Sequence, residues 1–124
     1  MSIVVERHPK YAVLRLSGVL DAKEARELRN TLKTLEAEGL VTVIFDMGDV
    51  KFASSTAIGA MVAFSNEHQR RYGNGSVMIC GLDKSIRRAL EVLGLLDTFV
   101  EVPSLSDALK LAGDFGGEGD GAQR

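Results

Sequence analysis

The chain has 124 residues, of which 45% are hydrophobic and 26% are charged, and its formal net charge is -2. This length is enough for one domain, and the balanced charge excludes a strongly basic protein that binds nucleic acid directly. The single cysteine excludes an internal disulfide framework and a cysteine-based zinc cluster. Residues 1–11 contain no apolar secretion signal, and the longest apolar run, residues 57–64, is far shorter than the roughly 18 residues that span a bilayer. We therefore expect a cytoplasmic domain without membrane insertion.

The C-terminal segment, residues 113–124, differs in composition from the rest of the chain. It contains five of the 13 glycines and only one apolar side chain larger than alanine. Such a segment buries too little surface to offset the loss of chain entropy, about 1–2 kcal/mol per residue. We therefore predict a folded domain over residues 1–112 and a disordered Gly-rich acidic tail over residues 113–124.

The beginning of the chain predicts a hairpin followed by a helix. Residues 3–8 are rich in β-branched side chains, and residues 11–17 alternate between apolar and polar positions, which is typical of paired strands. Asp21 is a favourable N-cap for an amphipathic helix over residues 22–38, which ends at Gly39. The remaining predicted elements, in chain order, are strand 41–45, helix 54–72, strand 76–80, a helix from Asp83 to Gly94, strand 99–102 and helix 104–112.

The order of these elements, β-β-α-β-α-β-α-β-α, indicates the fold class. Strands that alternate with helices form a largely parallel sheet with crossover connections. We therefore predict a single α/β domain with a mostly parallel mixed sheet of about five strands and about four helices.

Few residues of the chain carry the pattern of a catalytic or metal site. The sequence contains no Gly-rich phosphate loop of either common type. His8 and His68 are far apart and outside any metal-spaced cluster, and we expect His68 on the solvated side of its helix. Cys80 lies in a predicted buried strand, where a small core side chain is favoured over a reactive thiol. We therefore expect no catalytic residue, no metal and no cofactor.

Asp46 follows the predicted strand 41–45, where a phospho-accepting aspartate of a receiver domain would lie. That chemistry needs further acidic residues at the end of the first strand to hold magnesium. The first two strands end instead in Arg7-His8 and Ser17-Gly18. The sequence therefore does not support a receiver domain.

Three adjacent hydroxyl side chains, Ser54, Ser55 and Thr56, lie where a loop meets a predicted helix. One hydroxyl at this position would be explained by helix capping, but three exceed what one cap needs. The carboxyl edge of a parallel sheet is where open α/β folds place their sites. Unpaired N–H groups and the helix dipole also favour an anion there, including a phosphate on a serine.

The sequence resembles the STAS domain, the family of bacterial anti-sigma factor antagonists, over about residues 3–112. The segment Leu16-Ser-Gly-Val-Leu-Asp21 resembles the second strand and turn of that family. Phe45-Asp-Met-Gly-Asp-Val-Lys-Phe52 resembles the strand and loop before its signature, and Ser54-Ser-Thr-Ala-Ile-Gly59 resembles the signature, usually Asp-Ser-Ser/Thr-Gly-Leu-Gly. The segment from Ile86 to Gly94, followed by Leu95 and Phe99, resembles its late helix, and Ser106-Asp-Ala-Leu109 resembles its final helix.

The resemblance implies a partner-switching protein that is a binder and a kinase substrate, not an enzyme. The family's phosphorylated serine corresponds to Ser55, with Ser54 and Thr56 as alternatives. The partners implied are a GHKL-type anti-sigma factor serine kinase, which the unphosphorylated form binds, and a PP2C-type phosphatase. The expected partner-binding residues are Asp21, Lys51, Ser54, Ser55, Thr56, Ala57 and Ile58.

Two positions depart from the family signature. Ser54 replaces the aspartate and can still cap the helix, but it removes one negative charge beside the acceptor. Ala57 replaces the glycine, which favours the helix by roughly 1 kcal/mol but is expected to add a methyl group to the surface that a partner approaches. Either change could shift or abolish phosphorylation at Ser55.

Three further interpretations stay open at this point. The domain could be a non-switching STAS subunit of a stress-sensing assembly or an accessory of a transporter ATPase. It could also bind a small ligand in a cleft near Asp21, Asp46 and Ser54. In the late helix, Lys84, Arg87 and Arg88 are either a solvated face or a basic patch that contacts a partner.

Overall fold

The computed structural model describes residues 2–114, which form five strands and four α-helices. The elements are β1 (Ser2–Arg7), β2 (Tyr11–Leu20), α1 (Ala22–Glu38), β3 (Thr42–Ala53), α2 (Ser55–Tyr72), β4 (Val77–Cys80), α3 (Lys84–Val92), β5 (Val100–Val102) and α4 (Leu105–Leu109). A short 3-10 helix precedes β5, and a π-helical turn over Lys110–Asp114 follows α4. Apart from its first two residues, the predicted tail lies outside the described residues.

The strands form one sheet in the order β1-β2-β3-β4-β5. Strand β1 is antiparallel to β2, and the other neighbouring pairs are parallel. The fold class predicted from the order of the elements is confirmed.

The two faces of the sheet are covered by different helices. The larger core packs α1, α2 and α3 against one face and contains Leu14, Phe45 and Ile79 of the three central strands. The smaller core lies on the opposite face, where α4 contributes Ala108. Because α1, α2 and α3 each follow a parallel strand, their N-termini lie at the carboxyl edge of the sheet.

Strand β3 is longer than the sequence predicted. The predicted strand ended at Phe45, whereas β3 continues to Ala53 beside β2. Nine steps along β2, from Tyr11 to Leu20, pair with eleven steps along β3, from Thr42 to Ala53, so β3 contains two extra residues at register shifts. These bulges break the two-residue alternation of side chains by which a strand is recognised in a sequence.

The side chain of His68 is buried, which corrects the expected position on the solvated side of its helix. Its ring is 2% exposed and stacks on Phe64 with the ring centroids 5.0 Å apart. The imidazole Nε2 donates to the backbone oxygen of Val41 at 2.6 Å. The histidine therefore joins α2 to the chain that enters β3.

Candidate functional site

The longer β3 brings the starts of α1 and α2 side by side. Leu20 and Ala53 are the last paired residues of β2 and β3. The next residue after β3, Ser54, donates its backbone N–H to the Leu20 oxygen at 2.7 Å. Asp21 caps α1, where its Oδ1 accepts from the Glu24 N–H at 3.0 Å. Two helix N-termini thus meet at one edge of the sheet.

The three adjacent hydroxyl groups have different surroundings. Ser54 is half-buried, and its Oγ accepts from the Ala57 N–H at 3.1 Å, which makes it the N-cap of α2. Ser55 and Thr56 are exposed in the first turn of the helix. The first intrahelical bond runs from the Ile58 N–H to the Ser54 oxygen, so the N–H groups of Ser55 and Thr56 have no partner within the helix. Capping therefore explains only Ser54.

Ala57 does not lie on the surface, which corrects the expectation that its methyl group meets a partner. The residue is 0% exposed and belongs to the core beneath α2. Its position three residues after the N-cap turns the side chain toward the sheet. Ala57 is therefore removed from the expected partner-binding residues. Ile58, the next residue, is half-exposed and remains an expected partner-binding residue.

A groove of about 290 Å³ opens beside the start of α2. Its walls come from the end of β3, from α2 and from the beginning of α3. The lining residues are Lys51, Phe52, Ala53, Ile58, Ser85, Ile86 and Ala89. Phe52 is 54% exposed, although it is a large aromatic residue. The sequence analysis assigns Phe52 no role, because its exposure depends on the packing of β3 beside α2 and α3.

The cations of α3 are not equivalent. Arg87 Nε lies 2.8 Å from Glu101 Oε2 and its Nη1 lies 3.6 Å from Glu91 Oε2. Lys84 and Arg88 are exposed and have no ion pair within residues 2–114. The predicted basic triplet thus divides into one residue that ties α3 to β5 and two that face solvent.

Asp83, the N-cap of α3, interacts electrostatically with Lys51, which lines the groove. The hydroxyl and backbone N–H of Ser85 donate to the Asp83 carboxylate at 2.5 and 3.0 Å. These hydrogen bonds, with a smaller contribution from Lys51, lower the pKa of Asp83. Asp83 therefore carries a negative charge at neutral pH and offsets one of the surrounding cations.

The structure does not gather Asp21, Asp46 and Ser54 into one lined cleft. Asp46 lines a shallow pocket with Arg15 and Asp49 on the face of the sheet opposite α1, α2 and α3. Its Oδ1 accepts from the Gly48 N–H at 3.1 Å and so supports a bulge of β3. These three residues therefore do not form the small-ligand cleft that the sequence analysis left open.

The remaining reactive residue types lie away from the start of α2. Cys80 is buried in β4, and burial, with the neighbouring Asp46 acting in the same direction, raises the pKa of its thiol to about 12. A thiol with this pKa is not a nucleophile at neutral pH. Within residues 2–114, no group of three or more His, Cys, Asp or Glu side chains could hold a metal ion. Every helix in the same part of the chain is too short or too polar to cross a membrane.

These features define an α/β domain whose candidate site is a helix start with exposed hydroxyl groups, beside a groove. A family model for the STAS domain matches residues 2–111. The chain therefore belongs to the STAS domain family.

Relatives and solved structures agree with this membership. An anti-sigma-B factor antagonist from Listeria monocytogenes is 25% identical over 95 residues, which cover 76% of this chain and 81% of that protein. The crystal structure of an anti-sigma factor antagonist from Mycobacterium paratuberculosis is similar with a TM-score of 0.79, at 24% identity, over 90% of this chain and 92% of the other.

Two more distant structures share the fold. The Bacillus cell fate determinant SpoIIAA in its phosphorylated form has a TM-score of 0.71 and 19% identity, over 89% of this chain and 98% of the other. A sulfate transporter family protein from Wolinella succinogenes has a TM-score of 0.71 and 19% identity, over 85% of this chain and 86% of the other. The fold alone therefore does not separate these two kinds of protein.

Proposed function

We propose that this protein is an anti-sigma factor antagonist whose binding to an anti-sigma factor is controlled by phosphorylation of Ser55. The observation that carries the proposal is the contrast between two neighbouring serines. Ser54 is half-buried with its Oγ engaged in the cap, whereas Ser55 is exposed at the first position of an 18-residue helix. The names of the Listeria and Mycobacterium relatives support the antagonist role.

A phosphate on Ser55 is compatible with the fold. It would lie at the N-terminus of α2, where the helix dipole and the unbonded N–H groups of Ser55 and Thr56 favour negative charge. It would also add about -1.5 to -2 charges to the surface. The modification is therefore expected to change recognition by a partner without unfolding the domain.

Among the described residues 2–114, neither histidine lies beside the Ser55 hydroxyl to act as a base. His68 is buried near the C-terminal end of α2, where it bonds to Val41. His8 stacks on Tyr11 beside the hairpin turn. A serine becomes nucleophilic only with a neighbouring base or a comparable group. We infer that the domain is modified by a kinase and is not itself an enzyme; a GHKL-type anti-sigma factor kinase and a PP2C-type phosphatase are the partners that would complete the cycle.

Intact-mass analysis tests this proposal. The purified protein is incubated with ATP and the serine kinase that co-purifies with it, and the phosphorylated peptide is then mapped. We expect one added phosphate on Ser55, retained in Ser54→Ala and Thr56→Ala and lost in Ser55→Ala. An unmodified wild-type protein would instead favour a non-switching STAS subunit of a larger assembly, and a phosphate mapped to Thr56 would move the switch by one residue.

A further inference from the structure

The first strand of the sheet has an unpaired edge that suits a second copy of the same strand. Strand β1 pairs with β2 on one side, and within residues 2–114 no strand pairs with its other side. We propose that two copies of the protein form a dimer by antiparallel pairing of their β1 strands, which joins the two sheets into one. This inference does not depend on the proposed phosphorylation of Ser55.

The backbone of β1 presents unbonded N–H and C=O groups along this edge. The hairpin is closed by the His8 N–H, which donates to the Tyr11 oxygen at 2.9 Å. Along an antiparallel strand, alternate residues turn their N–H and C=O groups toward the same neighbour. Counting back from His8, Val4 bonds to β2, whereas Ile3 and Val5 turn these groups outward. A row of such groups is a template for pairing with another strand.

Strand β1 lacks the features by which proteins protect a sheet edge. Its register with β2 runs from Ser2 to Arg7 without the shift that marks a bulge, and it contains no proline and no lysine. The opposite edge of the sheet, β5, has only three residues and is followed by Pro103. Pairing between copies is therefore expected at β1 and not at β5.

The apolar side chains of β1 favour one symmetric register. In a ladder centred on Val4, this residue lies opposite Val4 of the second copy, and its side chain, 49% exposed in one copy, becomes covered. Ile3 lies opposite Val5 on the face that packs against the larger core. Opposed β-branched side chains stabilise a sheet. The outward backbone groups of Ile3 and Val5 also meet in this register, so each pair exchanges both of its N–H···O bonds.

The charges of β1 favour the same register. Glu6 lies opposite Ser2 of the second copy and keeps its ion pair with Arg15 of its own copy, at 3.0 Å. A ladder centred on Val5 would instead place Glu6 opposite the apolar Val4. A ladder centred on Glu6 would place this carboxylate opposite itself, which is unfavourable. The register centred on Val4 therefore combines apolar pairs with separated like charges.

Charge placed at Val4 tests the dimer and its register together. Sedimentation velocity of the full chain is measured from about 5 to about 500 µM, since a small interface binds weakly. We expect the wild type to form dimers as its concentration rises. Val4→Lys and Val4→Glu should each raise the dimer dissociation constant at least about tenfold, because like charges then lie directly opposite each other. The control Val19→Lys adds the same charge at a residue of similar exposure, 48%, beyond the part of β2 that pairs with β1, and should not weaken the dimer.

Mixing the two charged variants tests whether Val4 faces its own copy. An equimolar mixture of Val4→Lys and Val4→Glu should dimerise again, because lysine then lies opposite glutamate. One variant is isotope-labelled, so that native mass spectrometry separates heterodimers from homodimers. We expect heterodimers to predominate. A mixture that stays monomeric, although the wild type dimerises, would overturn the proposed register.

Proline at position 3 tests the backbone bonds. The N–H that Ile3→Pro removes turns away from β2, so the hairpin within each copy keeps its bonds. The matched control Ile3→Ala loses the isoleucine packing but keeps the N–H. We expect Ile3→Pro to dimerise at least about tenfold more weakly than Ile3→Ala. Thermal unfolding of every variant separates lost pairing from lost folding.

The outcomes distinguish this inference from the proposed function. A wild type that stays monomeric over the whole range would overturn the inference and leave the edge of β1 to a strand of another protein. A dimer that Val4→Lys and Ile3→Pro leave unchanged would also overturn it. Neither result affects the proposed function, because Ser55 lies at the start of α2 and its phosphorylation is measured separately. A dimer that is never phosphorylated at Ser55 would contradict the proposed function alone.

Discussion

The neighbouring serines at the start of α2 show how one backbone position changes the role of a side chain. Ser54 has extended dihedral angles, φ -71° and ψ 161°, so its Oγ can reach the Ala57 N–H. Ser55 is already in the helix, and its side chain is exposed. The first is a structural residue, and the second is the residue that we propose to be modified.

This difference predicts unequal effects on stability. Ser54→Ala should lower the free energy of unfolding by about 1 kcal/mol, because the helix loses its cap. Ser55→Ala should change it by less than about 0.5 kcal/mol, as for other exposed substitutions. Urea denaturation of both variants measures the difference. Equal losses would contradict the assignment of Ser54 as the cap.

His68 is a buried titratable side chain outside the proposed site. Its Nε2 donates to Val41, while Nδ1 is buried and has no hydrogen-bond partner among residues 2–114. Burial lowers the pKa of His68, and the nearby Arg71 acts in the same direction; the hydrogen bond to Val41 and the nearby Glu36 act against this. The neutral ring is therefore the form that fits the fold.

Acidification should destabilise the domain through this histidine. Its pKa lies below the unfolded-state value of 6.5, so the unfolded chain binds more protons once the pH falls below that value. The free energy of unfolding should decrease as the pH falls from about 7 to about 5. His68→Gln, which cannot titrate, should lose less over the same range. Urea denaturation at each pH gives the comparison; identical losses in both proteins would show that His68 is not responsible.

At the scale of elements, local signals predicted the helices well. The Asp21 cap, the spacing of apolar residues and Gly39 placed α1 over residues 22–38, and the structure has Ala22–Glu38. The end of β3 could not be predicted in this way, because its bulges remove the two-residue period and its pairing depends on the distant β2. The hydroxyl cluster was visible in the sequence, whereas the burial of Ala57 and the exposure of Phe52 depend on how α2 and α3 pack.

Gly81, the residue after β4, approaches the middle of β3 closely at Gly48. A Cβ added to Gly81, where φ is +72°, would lie 2.8 Å from the Gly48 backbone nitrogen. Such a distance forces the backbone to move, and the positive φ adds strain for any other residue. This contact fixes where the chain leaves β4 on its way to α3, and so it helps to set one wall of the groove.

Two glycine substitutions should therefore act in opposite directions. Gly81→Ala should lower the free energy of unfolding by more than about 1 kcal/mol, because alanine is strained at this φ and meets the Gly48 backbone. Gly59→Ala, in α2 with open space around the added Cβ, should raise it by up to about 1 kcal/mol. Chemical denaturation of the two variants tests this. A neutral Gly81→Ala would show that the close approach does not constrain the fold.

At the scale of the whole molecule, the net charge lies entirely in the last residues of the chain. The chain has 15 Lys and Arg and 17 Asp and Glu, and residues 1–112 contain 14 of each, so the net charge of -2 belongs to residues 113–124. Because the formal charges of residues 1–112 cancel, a single phosphate would give them a net charge of about -1.5 to -2.

The most direct test of the account is the affinity for the anti-sigma factor as a function of charge at Ser55. Isothermal titration calorimetry compares the wild type, Ser55→Ala and Ser55→Asp, with thermal unfolding as the control for folding. We expect Ser55→Ala to bind like the unphosphorylated wild type and Ser55→Asp to bind at least about tenfold more weakly with an unchanged melting temperature. Equal affinities for the alanine and aspartate variants would contradict a switch at Ser55.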